Sequence, residues 1–326
     1  NQRDPMSILF ITSTRIGDAI LSTGILAWLH EHYPEDGITI ACGSPASKVF
    51  GEVPNLEALH VIKKQSNHGH WWKLWRAMAP RRWRVVVDLR RSAMPWLLLA
   101  GKRYSVPKDR TGRHRVELNA SMFGLPSLAP KIWTAPEHRE TAEKLLAGAK
   151  NPVALAVGAN WAGKTWPADR FAALAENIRQ MKTFGPETEI VLVGGPDERE
   201  AGAAMLESQN GGRVIDAFGL DILSTCEVLK KCRLMVANDS AMMHLAAASG
   251  IPTIGLFGPT KDQHYRPWGE NGYVIRTPDS ADALMARLRT DPASVSTLME
   301  GIAVDDVLAK IAELESRGAI PNTRQA

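Results

Sequence analysis

The chain has little cysteine, few aromatics beyond tryptophan, and no long apolar run. Cys42, Cys226 and Cys232 are its only cysteines in 326 residues, an odd number without metal-ligand or redox spacing. That excludes a disulfide framework and leaves thiols buried or idle in a reducing compartment. No segment approaches the ~18 apolar residues that a membrane span needs. Residues 1–5, ahead of Met6, lack a signal peptide's apolar stretch and read as an expression scar. Hydrophobic residues make up 44% and charged ones 23% of the chain, which excludes intrinsic disorder. The length suits two domains of ~150 residues each.

Acidic residues are scarce in one region. Residues 63–115 hold 15 Lys and Arg against two acids, and residues 1–150 as a whole carry +9 while the remainder carries −5. A one-sided surplus of this kind points to an anionic partner: nucleic acid, an acidic membrane surface or a phosphorylated substrate.

Short apolar runs alternate with helical spacing from end to end. Ser7–Ile11, Ile38–Cys42 and Val85–Asp88 read as strands, with a helix over Asp18–His32. A proline-broken stretch follows Pro126, then a helix over Glu137–Gly148. The pattern restarts with strands at Val153–Val157, Ile190–Val193, Leu234–Ala237 and Thr253–Leu256, and a last helix spans Val304–Ser316. The expectation is an α/β chain of two doubly wound domains facing a cleft, over 6–148 and 149–302, with a C-terminal helix and tail over 303–326. Open sheets of this kind gather ligands at the carboxyl ends of their strands.

Four strand ends carry chemistry. After the first strand comes Thr12-Ser13-Thr14-Arg15-Ile16-Gly17-Asp18, which has neither the dinucleotide glycine spacing nor a Walker loop. Asp18 is suited to stabilising a helix start, and equally to standing as a carboxylate in a cleft with Arg15 holding an anion. Gly158 to Pro167, which includes Asn160, form a turn rich in small residues around a single lysine, Lys164, a point charge for a phosphate or an ordinary surface lysine. Gly194-Gly195-Pro196-Asp197-Glu198 lets backbone approach a ligand and offers a carboxylate to ribose hydroxyls. In Asn238-Asp239-Ser240-Ala241-Met242-Met243-His244 a strand runs into an Ala-rich helix whose first N–H groups suit a diphosphate. A capped core helix would use the same residues, but three such features at successive strand ends point to a nucleotide-diphosphate pocket.

On these residues the chain resembles the ADP-heptose:lipopolysaccharide heptosyltransferases, glycosyltransferase family nine. The resemblance spans Ile8 to about Trp268 and rests on Arg15–Asp18, Lys164-Thr165-Trp166-Pro167, Gly194-Gly195-Pro196, Asn238–His244 and Gly255-Leu256-Phe257-Gly258-Pro259-Thr260, in that order. It implies the GT-B architecture of two Rossmann-like domains, with the donor held mostly by the second, and inverting sugar transfer without a metal or other cofactor. It implies Asp18 as general base. Asn160, Lys164, Glu198, Leu220, Asp239, Ser240, Ala241, Met242 and His244 are implied as nucleotide-sugar contacts. Ala241 replaces a glycine of the pattern, and a positive φ there would be strained. The implied acceptor is an anionic lipid A core at the cytoplasmic membrane face, so the protein is expected in the cytoplasm, peripheral to the membrane. Arg15, Lys64, Arg90 and Arg91 are the expected acceptor contacts. His70-Trp71-Trp72-Lys73-Leu74-Trp75-Arg76 mixes tryptophan with cations in a manner suited to a membrane interface, at least one of the rings being expected in the core. Nucleic acid is not the expected partner, since no recognised binding module accompanies the charge. An epimerase or hydrolase of the same architecture, and a non-catalytic nucleotide-sugar-binding protein, are the other readings.

Overall fold

The computed structural model describes residues 7–63, 69–109, 111–207, 212–290 and 296–321. The chain divides into two compact units, one ending at Trp133 and the other beginning at Thr134.

The first unit holds strands β1 (Ser7–Ile11), β2 (Gly37–Cys42), β3 (Leu56–Val61), β4 (Trp83–Asp88) and β5 (Ala100–Ser105). They form one sheet in the order β3-β2-β1-β4-β5, every neighbouring pair parallel. β1, β2 and β4 are almost wholly buried because helices cover both faces, and their sequences are correspondingly continuous in apolar residues. The helix Ile16–His32 follows β1 and is buried on every side over Ala19–Leu26. Gly24 is required there: a Cβ would lie 2.2 Å from the carbonyl oxygen of Leu128, whose segment crosses the helix. Lys131 N–H then donates to Thr23 Oγ1, fixing that crossing.

The second unit holds β6 (Val153–Ala156), β7 (Ile190–Gly194), β8 (Val214–Phe218), β9 (Leu234–Asn238), β10 (Thr253–Phe257) and β11 (Gly272–Arg276). Its parallel sheet runs β11-β10-β9-β6-β7-β8. Its core joins the strands to Trp166, Phe171, Leu174 and Ile178, and to Val307, Ile311 and Leu314 of the final helix Val304–Ser316.

Two boundaries differ from the sequence reading. The helix Pro136–Leu145 lies in the second unit, where it packs on the helix Ile222–Lys231, so the first unit ends at 133 rather than 148. The final helix is part of the second unit's core rather than an appendage, because its apolar stripe has nowhere else to be buried. Four strands escaped the sequence reading, β3, β5, β8 and β11. They are the outer strands of the two sheets, and their half-exposed residues break the apolar runs by which inner strands are recognised.

Candidate active site

Each sheet reverses its strand order once, between β1 and β4 in the first unit and between β6 and β9 in the second. Loops diverge to opposite sides at such points and leave a crevice at the carboxyl ends. Most of the sequence-predicted site residues stand at these two places.

In the first unit a cleft of about 220 Å³ is lined by Thr12, Ser13, Thr14 and Asp18 after β1, by Leu89 and Arg90 after β4, and by Arg115 and Asn119. Asp18 occupies the first turn of its helix, half-buried, and accepts a hydrogen bond from Ser13 Oγ at 3.3 Å. Two cations therefore share a small cleft with one carboxylate, an arrangement that holds an anionic ligand beside a proton acceptor. Arg90 is positioned by Asp88. The fully buried Asp88 carboxylate accepts from Arg90 N–H at 2.7 Å, Ser92 N–H at 2.6 Å and Ser92 Oγ at 2.7 Å. Burial pushes the Asp88 carboxyl above its ordinary range despite those donors. The Arg90 guanidinium lies 5.1 Å from the centroid of Trp71.

Arg91 was expected beside Arg90 but is exposed and does not line this cleft. The tight turn around Asp88 places it in the left-handed region, at φ 55°. Arg15 is likewise exposed and outside the lining. Lys64 lies outside the described residues. Arg115 and Asn119 were missed because they sit on the short helix Arg115–Ala120, remote in sequence from either strand end.

In the second unit Lys164 and Asp239 meet. Lys164 Nζ donates to Asp239 Oδ2 at 2.7 Å, and Thr260 Oγ1 donates to the same oxygen at 2.8 Å. The two charged side chains are 15% and 8% exposed. This pair joins the loop after β6, the loop after β9 and the Gly-Pro-Thr turn after β10. Asn238 ties the first two together more deeply. Its Nδ2 donates to the carbonyls of Val157 and Gly158, and its Oδ1 accepts from Trp166 N–H, all with the side chain fully buried. Trp166 is itself buried and donates Nε1–H to Ile302 O at 2.9 Å.

Ser240 is the N-cap of the helix Ala241–Ala248, yet its side chain makes no capping bond. Its buried Oγ has no hydrogen-bond partner among the described residues. A hydroxyl left unsatisfied at a helix N-terminus, next in sequence to the lysine-paired Asp239, is a cost that a bound anion would remove. Ala241 does not take a positive φ, so the strain expected from its replacement of glycine does not arise. Met242 and His244 lie on the buried side of this helix, with His244 6.4 Å from the Tyr265 ring.

Glu198 follows β7 and folds back, accepting from Gly195 N–H at 2.8 Å. Gly158 leaves room for it, since a Cβ there would stand 2.5 Å from its carboxyl carbon. Burial is the main cause raising its pKa, with neighbouring Asp197 adding to it. Leu220 follows β8 and is half-buried after Gly219, whose φ of 75° turns the chain. Asn160 is exposed on the loop after β6.

Two parallel α/β units, each with its polar residues at the switch point, define a GT-B enzyme fold. The profile of glycosyltransferase family 9 (heptosyltransferase) matches residues 89–290, and the chain belongs to that family. It is therefore a glycosyltransferase. It is 24% identical over 329 residues to lipooligosaccharide heptosyltransferase 2 of Campylobacter jejuni serotype O:6, covering 95% of this chain and 100% of that one. Lipopolysaccharide heptosyltransferase 3 of Escherichia coli is 26% identical over 299 residues, covering 78% of this chain and 84% of its own length. Among solved structures, the family 9 glycosyltransferase of Veillonella parvula superposes with a TM-score of 0.79 at 22% identity, over 97% and 99% of the two chains. The ADP-heptose heptosyltransferase II of E. coli gives 0.74 at 20% identity, over 96% and 99%.

Proposed function

We propose that the enzyme transfers a heptose from ADP-heptose to an anionic inner-core acceptor of lipopolysaccharide, with inversion and without a metal ion. The observation that carries this reading is the Lys164–Asp239–Thr260 cluster beside the unsatisfied Ser240 hydroxyl at a helix start. It offers a diphosphate one cation, a hydroxyl and the first amides of a helix.

The donor's diphosphate gains negative charge as the anomeric bond breaks. Fixed N–H groups at the helix start and the Lys164 ammonium stabilise that charge, a contribution of several kcal/mol in sites of this type. They do the work that a divalent cation performs elsewhere. Glu198 and Leu220 serve the ribose and adenine, and Asn160 the donor's outer part. Asp18 takes the proton from the attacking acceptor hydroxyl. Arg90 and Arg115 hold carboxylates or phosphates of the acceptor in the same cleft. An acceptor built on lipid A places the enzyme in the cytoplasm, against the inner face of the membrane.

The test is turnover of purified enzyme with ADP-heptose and a heptose-deficient lipid A core, with anomeric configuration read by NMR. Asp18→Asn should bind ADP as the wild type does and lose ~10²–10⁴-fold in kcat. Full activity in that variant would remove Asp18 from the role of base. Turnover abolished by a chelator and restored by a divalent cation would remove the metal-free mechanism.

A further inference from the structure

The stretch from Gly69 to Leu99 presents a face that neither the Asp18 cleft nor the core uses. Trp72 is 63% exposed, Trp96 75%, Leu97 60% and Leu99 64%. Single exposed apolar side chains are ordinary, but four large ones on the helices and loop flanking one groove, two of them lining it, are a cluster of the kind that marks a partner. That groove, of about 520 Å³, is lined chiefly by Trp71, Trp72, Trp75, Met94 and Leu97.

The patch is held outward by its anchors. Trp72 and Trp75 stack with ring centroids 4.8 Å apart, and Trp75 Nε1–H donates to Leu97 O at 3.1 Å. Arg103 donates to the carbonyls of Pro95 and Leu98, while Met94, Pro95 and Leu98 are buried beneath. Trp96, Leu97 and Leu99 thereby stay in water and contribute little burial to folding.

The charge around the patch chooses among partners. Residues 69–108 carry ten Lys and Arg and one acid, and of the ten, Arg81 is paired with Glu57 and Arg84 with Asp36 from outside that stretch. That acid, Asp88, is fully buried and engaged by its own loop, so it offers the surface no compensation. Lys73, Arg76, Arg82 and Arg91 are exposed. A second copy of so basic a segment would be repelled, whereas exposed tryptophan and leucine with exposed cations on the same segments suit the boundary between phosphate headgroups and acyl chains. Arg90 links this face to the cleft, since it lines the cleft and also covers Trp71.

We propose that this face docks on an anionic lipid bilayer, Trp72, Trp96, Leu97 and Leu99 entering the headgroup–acyl boundary while the exposed cations meet lipid phosphates. The proposal rests on the reading above for the acceptor's being membrane-borne, and names the surface that reaches it.

Its test is co-sedimentation of the whole chain with vesicles of equimolar phosphatidylglycerol and phosphatidylcholine, against phosphatidylcholine alone. The wild type should bind the anionic vesicles and lose them as salt is raised. Trp72→Ala and Trp96→Ala should each weaken binding by ~tenfold, and Lys73→Glu with Arg76→Glu should weaken it and flatten its salt dependence. All variants should turn over a delipidated, water-soluble core acceptor as the wild type does, with unchanged thermal unfolding. Wild-type indifference to anionic vesicles, or tryptophan variants that bind unchanged, would overturn the proposal. So would sedimentation velocity showing a lipid-free dimer that Trp96→Ala dissociates, which would make the face an interface between copies. Failure of the soluble-acceptor reaction in the wild type would count against the sugar-transfer reading and leave vesicle binding to be judged by itself.

Discussion

The Lys164–Asp239 pair is the most consequential contact between single residues. Asp239 is 8% exposed, and its Oδ2 is met by Lys164 and Thr260. Removing one partner of a buried pair strands the other charge, at about 3–5 kcal/mol. Lys164→Met should therefore destabilise the protein toward the lower end of that range, because Thr260 still donates, and should also weaken ADP binding. Adding Asp239→Asn to it should restore much of the stability without restoring ADP affinity. Urea unfolding with ADP calorimetry separates the two effects; a stability change within ±0.5 kcal/mol for the single variant would show the pair to be energetically idle. Glu198 makes a pH-dependent prediction. Its folded pKa is raised by burial above the ordinary 4.5, so its contribution to stability is fully present below that value and is lost as pH rises through the folded one. Glu198→Gln stays neutral throughout. Relative to this variant the wild type should lose Tm as pH rises from acid toward neutrality, and parallel melting curves of the two across that range would contradict the assignment.

At the scale of elements, the loop Thr12–Thr14 is held between the ends of β1 and β2. Gly43 N–H donates to Ser13 O at 3.1 Å, and a Cβ on Gly43 would lie 2.6 Å from Thr14 Cα. Gly43 has φ −76° and ψ 161°, so alanine is conformationally acceptable there and the conflict is one of space alone. Gly43→Ala should cost about 1–3 kcal/mol through overpacking. Displacing Ser13, which donates to Asp18, should lower kcat by more than the lost stability explains, on the order of 10²-fold for a shift near 1 Å. Equal kcat in wild type and variant would show that the loop absorbs the methyl elsewhere. The same scale explains which strands are readable. β1, β2, β4, β6, β7, β9 and β10 are covered on both faces and announce themselves as apolar runs. β3, β5, β8 and β11 each lack a neighbour on one side, so their mixed composition satisfies solvent as well as core.

For the whole molecule, the two units divide the candidate chemistry: carboxylate and arginines in one, the diphosphate site in the other. ADP should slow hydrogen exchange at the amides of residues 158–166 and 238–242, and stabilise the protein by about 2.7 kcal/mol at a ligand concentration of 100 Kd. Protection confined to the first unit would place the nucleotide elsewhere. On the proposed reading, the acidic second unit can take an anionic donor because local amides and Lys164, rather than net charge, set the potential at the helix start.

The sequence by itself determined the alternation of buried strands and helices, and hence two parallel sheets, because periodicity and apolar runs are local properties. It also determined which strand ends carry Asp18, Lys164, Glu198 and Asp239, because those residues follow their strands directly. Only the tertiary structure decided that Lys164 and Asp239 pair across 75 residues, that Arg115 and Asn119 join Asp18 while Arg91 turns away, and that Trp72 and Trp96 face water while Trp83 is buried. Strand order and side-chain direction bring those groups together or part them, and neither is written in the spacing of residues along the chain.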